Sequence, residues 1–420
     1  MRFIADFHVH SRYSRATSMD MEVETLARWA SLKGIQLLGT GDFTHPTYFA
    51  ELSARLEPAE EGLFRVKKGD KSERATRFML TGEVSNIYHQ GGKLRKTHTL
   101  IFARSLGDVE RLNSRLHRHG KLSSDGRPIF TFPVKELVKM VLEVSPAFVL
   151  VPAHAWTPWF SVFGANSGFD SLEECFEETV DKIFAIETGL SSDPQMNWRL
   201  SKLDAITLIS NSDAHSPSRI GREANVFDCE LSYAGMWDVI KKKDPKRFLL
   251  TIEFFPEEGK YHYDGHRKCG ILFSPAESIK HSNICPVCKK PLTVGVLHRV
   301  EDLADREMGF VPKGAIPARH LIPLGEIIAQ ALGVAPGAAS VEREYMRIVQ
   351  VFGSEFGVLL ERSPEELSKH VPKSIVNGIR RVREGKVTIV PGYDGVFGKI
   401  NITTEEENAE ISAADQMNLF

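Results

Sequence analysis

The stretch DFHVHSRYS, Asp6 to Ser14, sets two histidines one residue apart at the end of the first apolar run of the chain. Residues i and i+2 of a strand point to the same side. His8 and His10 therefore aim their imidazoles together, as in the first half of a metal site. What stands opposite them is written further along the chain.

Short apolar runs alternate with helical patterns over roughly the first 250 residues. After Phe3–Phe7 comes a segment in which Val23, Leu26, Ala27, Ala30 and Leu32 share a helical face, with Gly34 as its stop. IQLLGTGD (35–42), RFMLTGE (77–83), TLIFA (99–103), AFVLVPAH (147–154), IFAIET (183–188), ITLISNSD (206–213) and FLLTIEFF (248–255) read as further strands. Seven or eight strands with helices between them predict an α/β barrel rather than an open sheet.

The runs close on DFHVH, TGD, TGE, PAH and NSDAH. They deliver His8, His10, Asp42, Glu83, His154, Asp213 and His215 just past the carboxyl ends of strands, the face where barrel enzymes assemble their sites. One strand-end histidine is ordinarily a cap or a satisfied core residue, but seven such residues at one face are not explained that way. Imidazoles and carboxylates together bind zinc, manganese, iron or magnesium. A carboxylate such as Glu83 can bridge two ions, which lower the pKa of a bound water and steady an in-line phosphoryl displacement. The reaction class predicted is phosphoester hydrolysis.

These residues resemble the polymerase-and-histidinol-phosphatase (PHP) family of metal-dependent phosphoesterases. That family carries an HxH after the first strand, a bridging glutamate, two single histidines and a terminal D-x-H. The resemblance implies a distorted (β/α)7 barrel over residues 1–255 whose metal ligands are His8, His10, Asp42, Glu83, His98, His154, Asp213 and His215. His98 begins its run instead of ending it, so it enters through the resemblance. His8, His10, Glu83 and Asp213 form the expected catalytic set. The chain departs from the family where T-D-H becomes TGDF, with Phe43 in place of histidine, and where Ala16 replaces a further histidine. Both losses fall on a third metal position, so two metals are expected more firmly than three.

His266-x2-Cys269-x15-Cys285-x2-Cys288 pairs four soft or borderline ligands at a spacing that suits a closed tetrahedral zinc. The expected divisions are a barrel at 1–255, a zinc-binding module at 256–312, a helical region with a terminal hairpin at 313–402, and an acidic, disordered tail at 403–420. A PHP barrel, KYHYDGHRKCG, CPVCKKPLTVGVLHRVEDLADR and a helical tail together resemble the endonuclease Q family of DNA-repair enzymes. The resemblance implies cleavage of duplex DNA on the 5′ side of a deaminated base (uracil, hypoxanthine, xanthine) or an abasic site, leaving a 3′-hydroxyl and a 5′-phosphate.

A lesion nuclease must extrude the damaged nucleotide and offer it a stacking pocket. Loop 155–170 supplies Trp156, Trp159 and Phe160 as wall candidates. Loop 83–96 offers Asn86, Tyr88, Lys93 and Arg95, with a Gly91-Gly92 turn. Either loop is a candidate wedge, and each is equally readable as a packed lid or an exposed hairpin.

The final QMNLF resembles the start of a sliding-clamp-binding peptide, with Gln416, Leu419 and Phe420 as contacts. Residues 87–127 hold nine Lys/Arg against three Asp/Glu, and residues 241–300 hold twelve against six, inside a chain of net charge -2. These are phosphate-facing patches or solvated faces. No apolar window reaches the ~18 residues a membrane span needs, and MRFIADF reads as a strand rather than a signal peptide, so a cytoplasmic protein is expected. A small-molecule phosphatase of the histidinol-phosphatase type explains the metal ligands but gives the zinc module no task. A non-catalytic nucleic-acid-binding scaffold fits poorly with so complete a ligand set.

Overall fold

A computed structural model describes residues 1–72 and 75–402. Its centre is a distorted ring of seven strands. Arg2–Asp6 runs parallel to Leu37–Gly39, which runs parallel to Arg77–Gln90. The chain then doubles back at Gly91-Gly92, so Lys93–Ala103 lies antiparallel both to Arg77–Gln90 and to Val149–Pro152. Ala185–Glu187 and Thr207–Ile209 pair in parallel, and the Ala155 N–H on the Glu187 carbonyl (2.9 Å) joins them to the preceding strand. The ring closes where the two chain segments past Asp6 and Ile209 meet. His10 N–H donates to the Ala214 carbonyl (3.0 Å) and Phe7 N–H to Asn211 Oδ1 (2.9 Å).

Strand alternation sorts the side chains into an inside and an outside. Ala5, Leu37, Met79, Leu100, Phe102, Val149, Val151, Ala185 and Ile209 meet in one buried cluster, with Phe7 and Phe102 edge to face at 5.9 Å. Their immediate neighbours Leu38, Phe78, Leu80, Ile101, Leu150, Ile186 and Leu208 belong to the larger cluster beneath the helices. Such a two-sided core is what a period of two dictates in a closed sheet.

Three features depart from expectation. The strand Lys93–Ala103 breaks the all-parallel pattern of a β/α barrel. Ala224–Asp228 was not apparent as a strand, yet it pairs antiparallel with Arg2–Asp6 and with Phe248–Glu253. Buried Asn225 interrupts its apolar pattern, because its amide bonds Ser210 and Asn211 on the neighbouring segment. Ala318–His320, placed in the helical region, instead adds a parallel strand beside Phe248–Glu253.

The first helix spans Val23–Lys33 and stops at Gly34 in the left-handed region (φ 86). Its buried face is Val23, Leu26, Ala30 and Lys33, with Leu32 only partly covered. Lys33 turns inward because its ammonium meets Glu355 at 2.7 Å. Beyond residue 256 the chain builds the hairpin Asp264–His266/Ile271–Phe273, then helices Leu324–Leu332, Ala339–Phe352 and Lys373–Arg383, and a last hairpin, Thr388–Val390/Lys399–Asn401. Ser363 and Glu366 form a reciprocal capping box with Pro364 at the first helical position, as the sequence predicts. Among the described residues no helix is long and apolar enough to cross a membrane. The expected acidic tail and clamp peptide, with Gln416, Leu419 and Phe420, lie outside the described residues.

Candidate metal centre

The inward parity of Met79 carries along its strand to Glu83, and that of Leu100 reaches back to His98. These two candidate ligands therefore sit within strands of the hairpin, not past their ends, and the register sets His98 opposite Ser85 on the face Glu83 shares. His8, His10 and Asp213 come from chain just past strand ends, and His154 from the loop after Val149–Pro152. Asp42 (φ 43), His154 (φ 30) and Asp213 (φ 47) occupy the left-handed region, which is costly for residues with a Cβ and recurs at functional sites.

Two triads result. In His8/His10/Asp213 and in Glu83/His98/His154, the potential ligand atoms lie within 4.8 Å of one another. Glu83 joins them. Its Oε1 lies 2.8 Å from His98 Nδ1 and 3.2 Å from His154 Nε2. Its Oε2 faces His10 Nε2 at 3.4 Å and His8 Nε2 at 3.7 Å. A carboxylate shared in this way is suited to bridging two cations.

The imidazoles are oriented from behind. The Glu187 carboxylate accepts from His8 Nδ1 (3.0 Å), Asp42 from His10 Nδ1 (3.0 Å), and Thr157 Oγ1 pairs with His154 Nδ1 (3.0 Å). Each contact leaves Nε2 facing the centre, the arrangement that fixes tautomer and ring angle in metal sites. Asp42 thus stands behind His10, its other oxygen taken by Ser11 N–H and by the Ser11 and Ser14 hydroxyls. His215 stands at the rim, its ring 4.4 Å from that of His10.

The donors fit a pair of divalent cations. His8 Nε2 is buried and has no hydrogen-bond partner, a costly state unless something else occupies that direction. Burial alone would lower His8 and His10. The facing carboxylates win: Glu187, Asp213 and Glu83 hold His8 well above the ordinary histidine value, and Asp42 and Asp213 push His10 up to about 9. His98 is pushed down to about 4 by burial, against the pull of Glu83. Glu83, although buried, is held well below the carboxylate range by His98, Arg127 and His8.

Three further residues contribute to the centre besides those expected from the sequence. Glu187 closes the strand Ala185–Glu187, where its inward parity was the available signal. Arg127 was counted only as one charge of a basic segment, yet its guanidinium lies 3.0 Å from Glu83 Oε2. Thr157 carried no signal at all.

His266, Cys269, Cys285 and Cys288 converge in a third group with ligand atoms within 4.8 Å of one another. Cys288 Sγ is 3.8 Å from His266 Nδ1. The nearby His262 lies outside this group, buried with Nδ1 unpartnered.

The lesion candidates divide. Trp156 is buried and donates its indole N–H to Asn197 (2.8 Å). Asn86 and Tyr88 are buried as well, Asn86 donating to the Phe132 carbonyl (3.0 Å). Arg95 is enclosed between the hairpin and loop 155–170. It donates to the Gly168 carbonyl and to Glu174 (2.6 Å), with its guanidinium 4.1 Å over Phe169. These four side chains bind the fold together and present no free surface. Lys93 is exposed near the turn, about 23 Å along the strands from the level of Glu83. Trp159 and Phe160 remain available: Trp159 is 45% exposed, and the Phe160 ring lies 4.8 Å from that of His98.

The ring of strands and its bridged histidine–carboxylate centre define a metal-dependent phosphoesterase of the PHP class. The chain belongs to the endonuclease Q family: it is 31% identical to the lesion-specific endonuclease PfuEndoQ from Pyrococcus furiosus, over 98% of its own length and 99% of that chain, with a TM-score of 0.84. A structure of endonuclease Q in complex with a 27-mer duplex carrying an abasic lesion at the active site is 32% identical, covers 97% and 98% of the two chains, and has a TM-score of 0.83. Residues 323–386 match the family described as the MJ0043 C-terminal domain. The chain is 34% identical over 260 residues to MJ0043 of Methanocaldococcus jannaschii, but spans only 32% of that protein's length. It is 28% identical to YqxK of Bacillus subtilis over 95% of this chain and 99% of that one.

Proposed function

We propose that the chain is a DNA-repair endonuclease that hydrolyses the phosphodiester 5′ to a deaminated base (uracil, hypoxanthine or xanthine) or an abasic site, leaving 3′-hydroxyl and 5′-phosphate ends. The observation that carries this reading is Glu83 spanning two ligand triads, in a chain alike over its whole length to lesion-specific endonucleases. Divalent cations (zinc, manganese or magnesium) held there would supply Lewis acidity toward water and toward phosphate oxygens.

The residues divide the remaining work. His8, His10 and Asp213 would hold one cation and His98 and His154 another, with Glu83 within reach of both triads. Glu187, Asp42 and Thr157 keep three of the rings aligned, so that little reorganisation accompanies the reaction. Arg127 offers its guanidinium to the scissile phosphate, where a planar fork matches two oxygens. Trp159 and Phe160 would offer an extruded nucleotide a stacking surface. Zinc at His266, Cys269, Cys285 and Cys288 would hold the small module closed. A third barrel cation is less well provided for, since Asp42 is committed to His10 and buried Phe43 stands where the family has a histidine. The protein would work in the cytoplasm, and Gln416, Leu419 and Phe420 would tether it to a sliding clamp.

The test is incubation with manganese or magnesium on end-labelled duplexes that differ by one deoxyuridine, deoxyinosine or abasic site. A single cut 5′ of the lesion, absent from the undamaged control, is expected. Turnover of a chromogenic phosphomonoester with no cut in either duplex would point to the phosphatase instead.

A further inference from the structure

The loop between the two strands of the last hairpin displays a large apolar side chain without folding it away. Phe397 is 70% exposed and its neighbour Val396 39%. The loop itself is pinned on every side. Gly392 N–H donates to the Glu257 carbonyl (2.8 Å), Gly395 N–H to that of Lys260 (2.9 Å) and Gly398 N–H to that of Glu258 (3.1 Å), while Tyr263 N–H donates to Gly392 (2.9 Å). Asp394 reaches the metal-binding module, accepting from Arg267 N–H (2.8 Å) and the Thr293 hydroxyl (2.7 Å). A Cβ at Gly398 would sit 2.0 Å from the Glu257 carbonyl oxygen, and one at Gly392 2.5 Å from that of Gly259. Close packing of this kind fixes the backbone, so the exposure of Phe397 belongs to the folded loop and is not fraying. Leaving an aromatic ring of that size in water forgoes the burial that folding ordinarily gives such a side chain.

Phe397 borders a cleft of about 590 Å³ that is also lined by Trp159, Tyr261, Arg219, Arg222 and Thr157. Thr157 is the residue that holds His154. The volume is that of a small-ligand site. Lys260 places its ammonium 5.6 Å from the Phe397 ring and 5.8 Å from Tyr261, whose ring lies 5.7 Å from Trp159. Aromatic rings interleaved with cations, in a cleft that includes the residue paired with His154, match the chemistry of nucleobases on a phosphate backbone.

We infer that Phe397 is a wedge that enters the base stack of duplex DNA and fills the gap left when the damaged nucleotide turns out toward the metals. The inference rests on the nuclease reading above. Apolar side chains inserted between base steps stabilise the opened duplex in this way. The loop is rigid because a wedge that bent aside would do no unstacking, and the module of His266 and Cys269 gives Asp394 its anchor.

The experiment compares Phe397→Ala with the parent protein in single-turnover cleavage of a deoxyuridine in duplex DNA and of the same deoxyuridine in a short mismatched bubble. Failure of the parent protein to cut either substrate would overturn the nuclease reading itself. With an active parent, Phe397→Ala is expected to lose at least about tenfold on the duplex and less than about twofold on the bubble, where unstacking is already done. Phe397→Trp should restore duplex cleavage. Equal losses on both substrates, or no loss on the duplex, would overturn the wedge.

Discussion

His8 illustrates how a buried candidate ligand is held on both sides. Its Nδ1 is engaged by Glu187 and its Nε2 is free for a cation. Glu187→Gln keeps the shape but removes the charge that sets the tautomer. Metal affinity should fall about 10- to 100-fold, read by competition with a chromogenic chelator, while the circular dichroism spectrum stays unchanged. Unchanged affinity would remove Glu187 from the centre. His8→Ala removes the ligand itself. Cleavage should vanish, while affinity for lesion duplex stays within about threefold, because ligands organise the chemistry and basic side chains hold phosphates. Loss of binding by a folded His8→Ala protein would contradict that division.

Among elements, the helix Val23–Lys33 shows how the barrel and the C-terminal helices are tied. Lys33 and Glu355 have side-chain exposures of 6% and 4%, and Glu355 also accepts from Leu324 N–H (2.9 Å) and the Tyr345 hydroxyl (2.8 Å). Removing one partner strands a buried charge. Lys33→Ala should therefore cost about 3–5 kcal/mol in urea unfolding, and adding Glu355→Gln should recover part of that loss. A cost under about 1 kcal/mol would mean that water reaches the pair. The helix, its Gly34 stop and its apolar face were legible in sequence, since all follow from local periodicity. The buried lysine was not, because its partner lies more than 300 residues away. The same holds for Ala224–Asp228 and Ala318–His320, whose strand character comes from the edges they pair with.

At the scale of the whole molecule, burial leaves a titration outside the metal centre. Glu253 ends the strand Phe248–Glu253 and is completely buried, with one oxygen on the Thr188 hydroxyl (3.2 Å) and the other unpartnered. Burial raises its pKa from 4.5 to about 7. The folded state therefore keeps a proton that the unfolded chain releases. The stabilisation is fully present below pH 4.5 and is lost as pH rises toward about 7. The slope is at most about 1.4 kcal/mol per pH unit. Glu253→Gln should melt higher than the parent at pH 8 and no higher at pH 5, by calorimetry. Equal gains at both pH values would place the effect outside ionisation.

What the sequence by itself determined is chemistry and order: HxH after the first run, a carboxylate, single histidines, D-x-H, and a paired HxxC and CxxC. Ligand types and local periodicity are properties of short stretches, and they sufficed for the barrel and for five of the six candidate ligands that meet in the two triads; His98 came through the family resemblance, and Asp42 and His215 stand outside both triads. Only the tertiary structure decided which of these groups face one another. It set Asp42 behind His10, brought Glu187 and Arg127 to the centre, and buried Trp156, Asn86, Tyr88 and Arg95 while leaving Phe397 in the open. Those assignments turn on which face of a strand meets the ring interior and which distant segment packs over a loop. Both are settled by closing the sheet and burying its surface, and no single stretch of chain records either.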